Sequence, residues 1–212
     1  MTDLLYVTCN VRNPEASGSL SLGHEFLEEY LRWNPQKAVR FLDLYRDSIQ
    51  RIDQDLLDVW ERIGRDESYA LFSDEERRKI YRIWRLADQF GACDRYIFVT
   101  HSLNLWFPAE FKTYVDAICV PGRTYRLTPQ GAKGTFHDGG RRSLHLHAGP
   151  PFPFGKEQDQ SVAYLRSVLQ FLGVTDQVTV LLPTDNPERS SVEAKEKYKV
   201  ARRRLLGLAR VF

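Results

Sequence analysis

The sequence predicts an α/β domain in which five parallel strands form a central sheet with helices on both faces. Three observations predict it: five short apolar runs, segments of helical period between them, and polar loop chemistry concentrated where strands give way to helices. The 212 residues are enough to bury a substantial core. Residues 1–212 read as one domain, with an excursion loop or hairpin around 120–140.

The first strand is Leu4 to Thr8, whose run Leu4-Leu5-Tyr6-Val7 is too uniformly apolar for a half-solvated strand and suits one covered on both faces. From Ser19 the period changes. Leu20, Leu22, Phe26, Leu27, Tyr30 and Leu31 make the apolar stripe of a helix capped by Ser17 or Ser19 and ending near Asn34-Pro35. Val39 to Leu44 is the second strand, and Asp53 to Gly64 a helix. Ser73-Asp74-Glu75-Glu76 has the spacing of a capping box and opens a helix running to about Phe90. Tyr96-Ile97-Phe98-Val99 is the third strand, leading through Pro108 to a helix over Ala109 to Ile118. Thr124 to Leu127 alternates like a strand before Gly131 and Gly134, which mark the excursion. Leu144 and Leu146 alternate with His145 and His147 in the fourth strand. A helix over about Asp159 to Leu172, a strand over Val178 to Leu182 and a helix from Pro187 to about Leu208 complete the chain.

Composition excludes several classes. With 42% apolar and 27% charged residues the chain is neither disordered nor fibrous. Thirty basic against 28 acidic residues leave +2, too balanced for a nucleic-acid binder. The basic run Lys195 to Arg204 reads as a solvated helix face. Cys9, Cys93 and Cys119 are too few and too scattered for a disulfide framework. The N-terminus enters a strand without a leader pattern and no run is long enough to span a membrane, so a cytoplasmic protein is expected, with no membrane partner.

Ligands of an open parallel sheet bind outside the carboxyl ends of its strands, at the switch point. The segment Asn10 to Ser19 leaves the first such end. Its Ser17-Gly18-Ser19 reads either as an ordinary helix cap or as a phosphate site made of amides and hydroxyls at a helix start. It has neither the Gly-Lys-Ser/Thr ending of a Walker loop nor a dinucleotide glycine turn. Ser102-Leu103-Asn104-Leu105-Trp106 leaves another strand end. Asn104 can both donate and accept, and Leu103, Leu105, Trp106 and Phe107 can flank a flat apolar ring or simply cover the sheet. His101, His145 and His147 raise zinc as an option, but no carboxylate or thiolate spacing supports it, and no metal is expected. Cys9, close to a helix start, can have its thiol activated there or be plain packing.

In this order the motifs resemble the FMN-dependent NADH azoreductases, which are also NADH:quinone oxidoreductases of the flavodoxin-like superfamily. The resemblance covers almost the whole chain and rests on Ser17 to Gly23, Phe98-Val99-Thr100, Asn104 to Pro108, Phe111 to Asp116, Gly122 to Tyr125 and Phe171 to Asp176. It implies a flavodoxin-like three-layer sandwich and a homodimer with FMN at the subunit interface. Asn10, Ser17, Gly18 and Ser19 would hold the phosphate. Ser102, Leu103, Asn104 and Leu105 would hold the isoalloxazine, with Ala148 and Gly149 on the next loop. NADH would reduce the flavin, which would then reduce a quinone or an aromatic azo compound in a ping-pong cycle; no side chain is assigned as catalytic acid or base.

Two departures stand out. The ring-binding loop of such proteins begins with proline and carries aromatic residues where this chain has His101-Ser102-Leu103-Asn104-Leu105. The later loop, usually Ser or Ala then Arg-Gly-Gly, here reads Ala148-Gly149-Pro150-Pro151, and the prolines lack amide hydrogens. Each missing donor costs about 1–3 kcal/mol if nothing replaces it. The alternative that these departures motivate is a flavin-binding or flavin-free, non-catalytic dimeric interaction protein on the same scaffold.

Overall fold

The computed structural model describes residues 3–149 and 160–212. Five strands, β1 (Asp3–Cys9), β2 (Val39–Asp43), β3 (Cys93–His101), β6 (Arg142–Ala148) and β7 (Asp176–Leu182), form one sheet in the order β2-β1-β3-β6-β7. Every neighbouring pair is parallel. This is the flavodoxin-like sheet that the resemblance implied, and all five expected strands are present.

The apolar run of β1 serves two cores by alternation. Leu5, Val7 and Cys9 join a cluster with residues of α2 (Gln54–Gly64), α3 (Asp74–Gly91), α4 (Ala109–Ile118) and α5 (Ser161–Leu172). Leu4 and Tyr6 join a second cluster with α1 (Gly18–Trp33) and α6 (Val192–Leu208) on the opposite face. Burying each such side chain contributes roughly 1.5–3 kcal/mol, so a strand packed on both sides anchors the molecule. α1 lies tight on the sheet: a Cβ at Gly23 would come within 2.6 Å of Tyr6 Oη and 2.7 Å of Val99 Cγ2.

The caps behave as the sequence says. Ser17 caps α1 by accepting from Leu20 N, and Ser73 and Glu76 make both bonds of the capping box of α3. The excursion is a separate antiparallel hairpin, β4 (Tyr125–Thr128) with β5 (Gly131–Gly134). Two boundaries differ from expectation by three residues or more. The last helix starts at Val192 rather than Pro187, because Ser191 caps it and Ser190 closes a turn back to Pro187 O first. β3 starts at Cys93, where Arg95 secures the strand by donating to Phe212 O. The basic run is a solvated, ion-paired face: Lys197 with Glu193, Lys199 with Glu196 and Arg202 with Glu25. Among the described residues no helix is long and apolar enough to cross a membrane.

Candidate functional site

β1 lies between β2 and β3, so the chain leaves β1 toward one edge of the sheet and leaves β3 toward the other. The carboxyl ends of these two strands therefore bound the crevice where a ligand fits. At this end of the sheet the chain leaves β1 at Asn10, β3 at Ser102, β6 at Gly149 and β7 at Pro183.

The loop after β1 builds a cradle of donors. Asn10 is buried; its Nδ2 donates to Ser17 Oγ at 3.0 Å and its Oδ1 accepts from Arg12 N at 3.0 Å. Ser17 and Ser19 are buried at the start of α1, where the positive end of the helix favours an anion. Of the two readings of this segment, the cap is present at Ser17. While capping Leu20 N, it also donates to an anion, the carboxylate of Asp185. Asp185 Oδ1 accepts from Ser17 Oγ at 2.8 Å, Ser19 Oγ at 2.6 Å and Ser19 N at 3.0 Å, and Oδ2 accepts from Asn10 Nδ2 at 3.0 Å. Arg12 approaches it to 3.9 Å from a half-exposed position.

Asp185 escaped sequence reasoning, because it lies 166 residues from Ser19 and looks like any polar turn residue between Pro183 and Pro187. The available signal was its place just beyond the last strand, at the same end of the sheet as the serines.

After β3 the chain makes a tight turn closed by Leu103 N to Trp106 O at 2.7 Å and Trp106 N to Leu103 O at 3.2 Å. Its two central residues, Asn104 and Leu105, have φ of 52° and 68°. Asn tolerates this left-handed region; Leu adopts it at a cost of about 1–2 kcal/mol, and such strain collects at ligand clamps. Asn104 and Leu103 are exposed and Leu105 is half-buried, all on the surface of the turn. Phe107 is instead core, stacked on Phe111 at 4.2 Å, and Trp106 packs against Tyr164 at 5.4 Å. Trp106 and Phe107 thus cover the sheet, while Leu103 and Leu105 remain at the surface of the turn. Ser102 Oγ is buried without a hydrogen-bond partner among the described residues.

Ala148 is buried at the end of β6, with its carbonyl accepting from Ser102 N at 2.8 Å. The amide of Gly149 donates to Leu182 O at 2.9 Å, so it is already committed to the sheet. Pro150 and Pro151 lie outside the described residues.

Beneath the turn, Thr100 Oγ1 lies 2.8 Å from both His145 Nε2 and His147 Nδ1. One hydroxyl proton cannot serve two acceptors, so at least one imidazole donates to Thr100. His101 points elsewhere: its Nδ1 donates to Cys9 O at 3.2 Å. Burial is the main influence lowering its pKa below 6.5, which leaves it neutral at pH 7 with Nε2 as an acceptor. The three histidines do not converge, and among the described residues no group of three or more His, Cys, Asp or Glu could hold a metal ion. Cys9 is fully buried, and burial pushes its thiol pKa up rather than down, so the activated-thiol option is overturned.

Residues 2–205 match the family described as having a flavodoxin-like fold, and the chain belongs to that family. Among curated relatives, the FMN-dependent NADH:quinone oxidoreductase of Geotalea uraniireducens (strain Rf4) is 53% identical over 176 residues, covering 83% of this chain and 84% of the relative. FMN-dependent NADH:quinone oxidoreductase 2 of Bacillus licheniformis is 33% identical over 210 residues, covering 98% of this chain and 99% of its own. Among solved structures, the azoreductase of Bacillus anthracis str. Sterne superimposes with a TM-score of 0.86 at 26% identity, covering 100% of both chains.

Proposed function

We propose that this chain is an FMN-dependent NADH:quinone oxidoreductase that also reduces aromatic azo compounds, and that it works as a cytoplasmic homodimer. The observation that carries the reading is the meeting of an anion cradle and a strained turn presenting Asn104 at the switch point of a flavodoxin-like sheet. The names of the relatives agree with it. The residues suit the cofactor: the donors of Asn10, Ser17 and Ser19 already hold one carboxylate through both of its oxygens, and Ser102 Oγ is a buried hydroxyl without a hydrogen-bond partner among the described residues. When bound, FMN supplies the ability to take a hydride from NADH and pass two electrons to the oxidant.

The chain contributes binding, orientation and exclusion of water. The start of α1 and its serines would hold the phosphate end. The turn at Leu103–Trp106 would offer Asn104 to the polar edge of the ring, with Leu103 and Leu105 as its apolar flank. Thr100, His145 and His147 stiffen the strand ends beneath. Leu103, 46% exposed at the mouth, supports a slot completed by a partner chain. Three free cysteines are in keeping with a reducing compartment.

No side chain need act as acid or base. The nicotinamide and the oxidant take turns in one slot, a quinone needing one round and an azo bond two. Steady-state rates with NADH and benzoquinone, measured with and without added FMN, test this. FMN-dependent turnover with parallel double-reciprocal lines is expected; intersecting lines would remove the shared slot, and absent turnover would favour the non-catalytic alternative.

A further inference from the structure

We propose that Asp185 is a specificity-determining residue of the flavin site: its carboxylate is the resident anion of the phosphate cradle, and a flavin phosphate enters by exchanging with it. The inference rests on the flavin reading above and deepens it.

Four donors converge on this one carboxylate, three on Oδ1 and one on Oδ2. They come from the loop after β1 and the start of α1, whereas Asp185 comes from the loop after β7. The backbone of that loop is fixed. Asp185 O accepts from Gly18 N at 2.8 Å, Thr184 Oγ1 accepts from Asn186 N at 3.0 Å, and Tyr198 Oη donates to Gly18 O at 2.9 Å. The two segments also touch, since a Cβ at Gly18 would come within 2.8 Å of Pro187 Cδ. The main chain therefore holds Asp185 at the cradle while its side chain remains able to rotate about its own bonds. Arg12, half-exposed at 3.9 Å, is placed to accompany the carboxylate outward or to meet the incoming anion.

Exchange is required by charge and by donor count. A phosphate beside an ionised carboxylate is repelled at a few ångströms, and the donors of the cradle cannot serve both. Release of Asp185 offsets part of what the phosphate gains, so the phosphate adds less affinity here than it would in a cradle without a carboxylate. Riboflavin has the ring and the ribityl chain but no phosphate, and it leaves Asp185 seated, with its hydroxyls able to donate to the carboxylate. The chain should therefore discriminate weakly between FMN and riboflavin.

Fluorescence-quenching titrations of the full-length protein with FMN and with riboflavin test the proposal, using wild type, Asp185→Asn and Asp185→Ala. Asn keeps an acceptor for the serine hydroxyls and removes the charge, and thermal melts establish that each variant folds. The expected result is FMN binding tighter by about tenfold or more in both variants. Riboflavin should change by less than about threefold. Equal shifts for both flavins, an unchanged FMN affinity, or weaker FMN binding in Asp185→Asn would overturn the role of Asp185 while leaving the flavin reading standing. Failure of all three folded proteins to bind either flavin would overturn both.

Discussion

Single residues in the crevice carry opposing demands of stability and binding. Leu105 is the clearest case, a non-glycine residue at φ 68° in an otherwise ordinary turn. Leu105→Gly should raise stability by up to about 1 kcal/mol, because the left-handed penalty of roughly 1–2 kcal/mol exceeds the entropy cost of glycine, roughly 0.5–1 kcal/mol. Denaturant melts would register the gain, and FMN titration of the same variant should show weaker binding from the lost apolar wall. His101 makes a prediction about pH. Its folded pKa lies below 6.5, so the unfolded chain takes up the proton first as pH falls. This contribution to stability is complete above about pH 6.5 and is lost as pH drops from there toward the folded pKa. Urea midpoints at pH 7.5 and below 6 should therefore fall less in His101→Gln than in wild type.

At the scale of elements, local signals written in adjacent residues were legible, and pairings across the chain were not. The capping box at Ser73 and Glu76, the cap at Ser17 and the two-sided burial of β1 follow from short-range chemistry, and the structure has all three. The start of α6 was misplaced because Pro187 resembles a first helical residue, whereas Ser191 supplies the actual cap. Asp185 was invisible for a deeper reason: its partners are brought to it only when β7 docks beside β6. The two serine caps separate structure from function. Ser17→Ala and Ser73→Ala should each destabilise the fold by about 1 kcal/mol in denaturant melts. Only Ser17→Ala should also weaken FMN binding, since the bonds of Ser73 and Glu76 close the capping box of α3, whereas Ser17 donates within the cradle.

For the whole molecule, the sheet order decides where chemistry can occur. β2-β1-β3-β6-β7 puts the switch point between β1 and β3, and the hydrogen-bonded ends of β6 and β7 complete the rim. The fold class was readable because every strand and helix carries its own period. The composition of the rim was readable only in part, from Asn10, Ser17, Ser19 and Asn104. Arg123 is paired with Asp88 and lies over the Trp84 ring at 4.4 Å. Arg12 is joined to the cradle by an ion pair with Asp185.

The proposed function requires this crevice to bind FMN and to let NADH reduce it. The most direct test is an anaerobic titration of the purified protein with FMN, followed by one equivalent of NADH, read by the visible flavin absorption. Saturable binding with a Kd below about 10 μM, corresponding to roughly −7 kcal/mol, and bleaching of the visible band on adding NADH are expected. Absence of binding in this range would contradict the cofactor assignment, and binding without bleaching would contradict the enzymatic one.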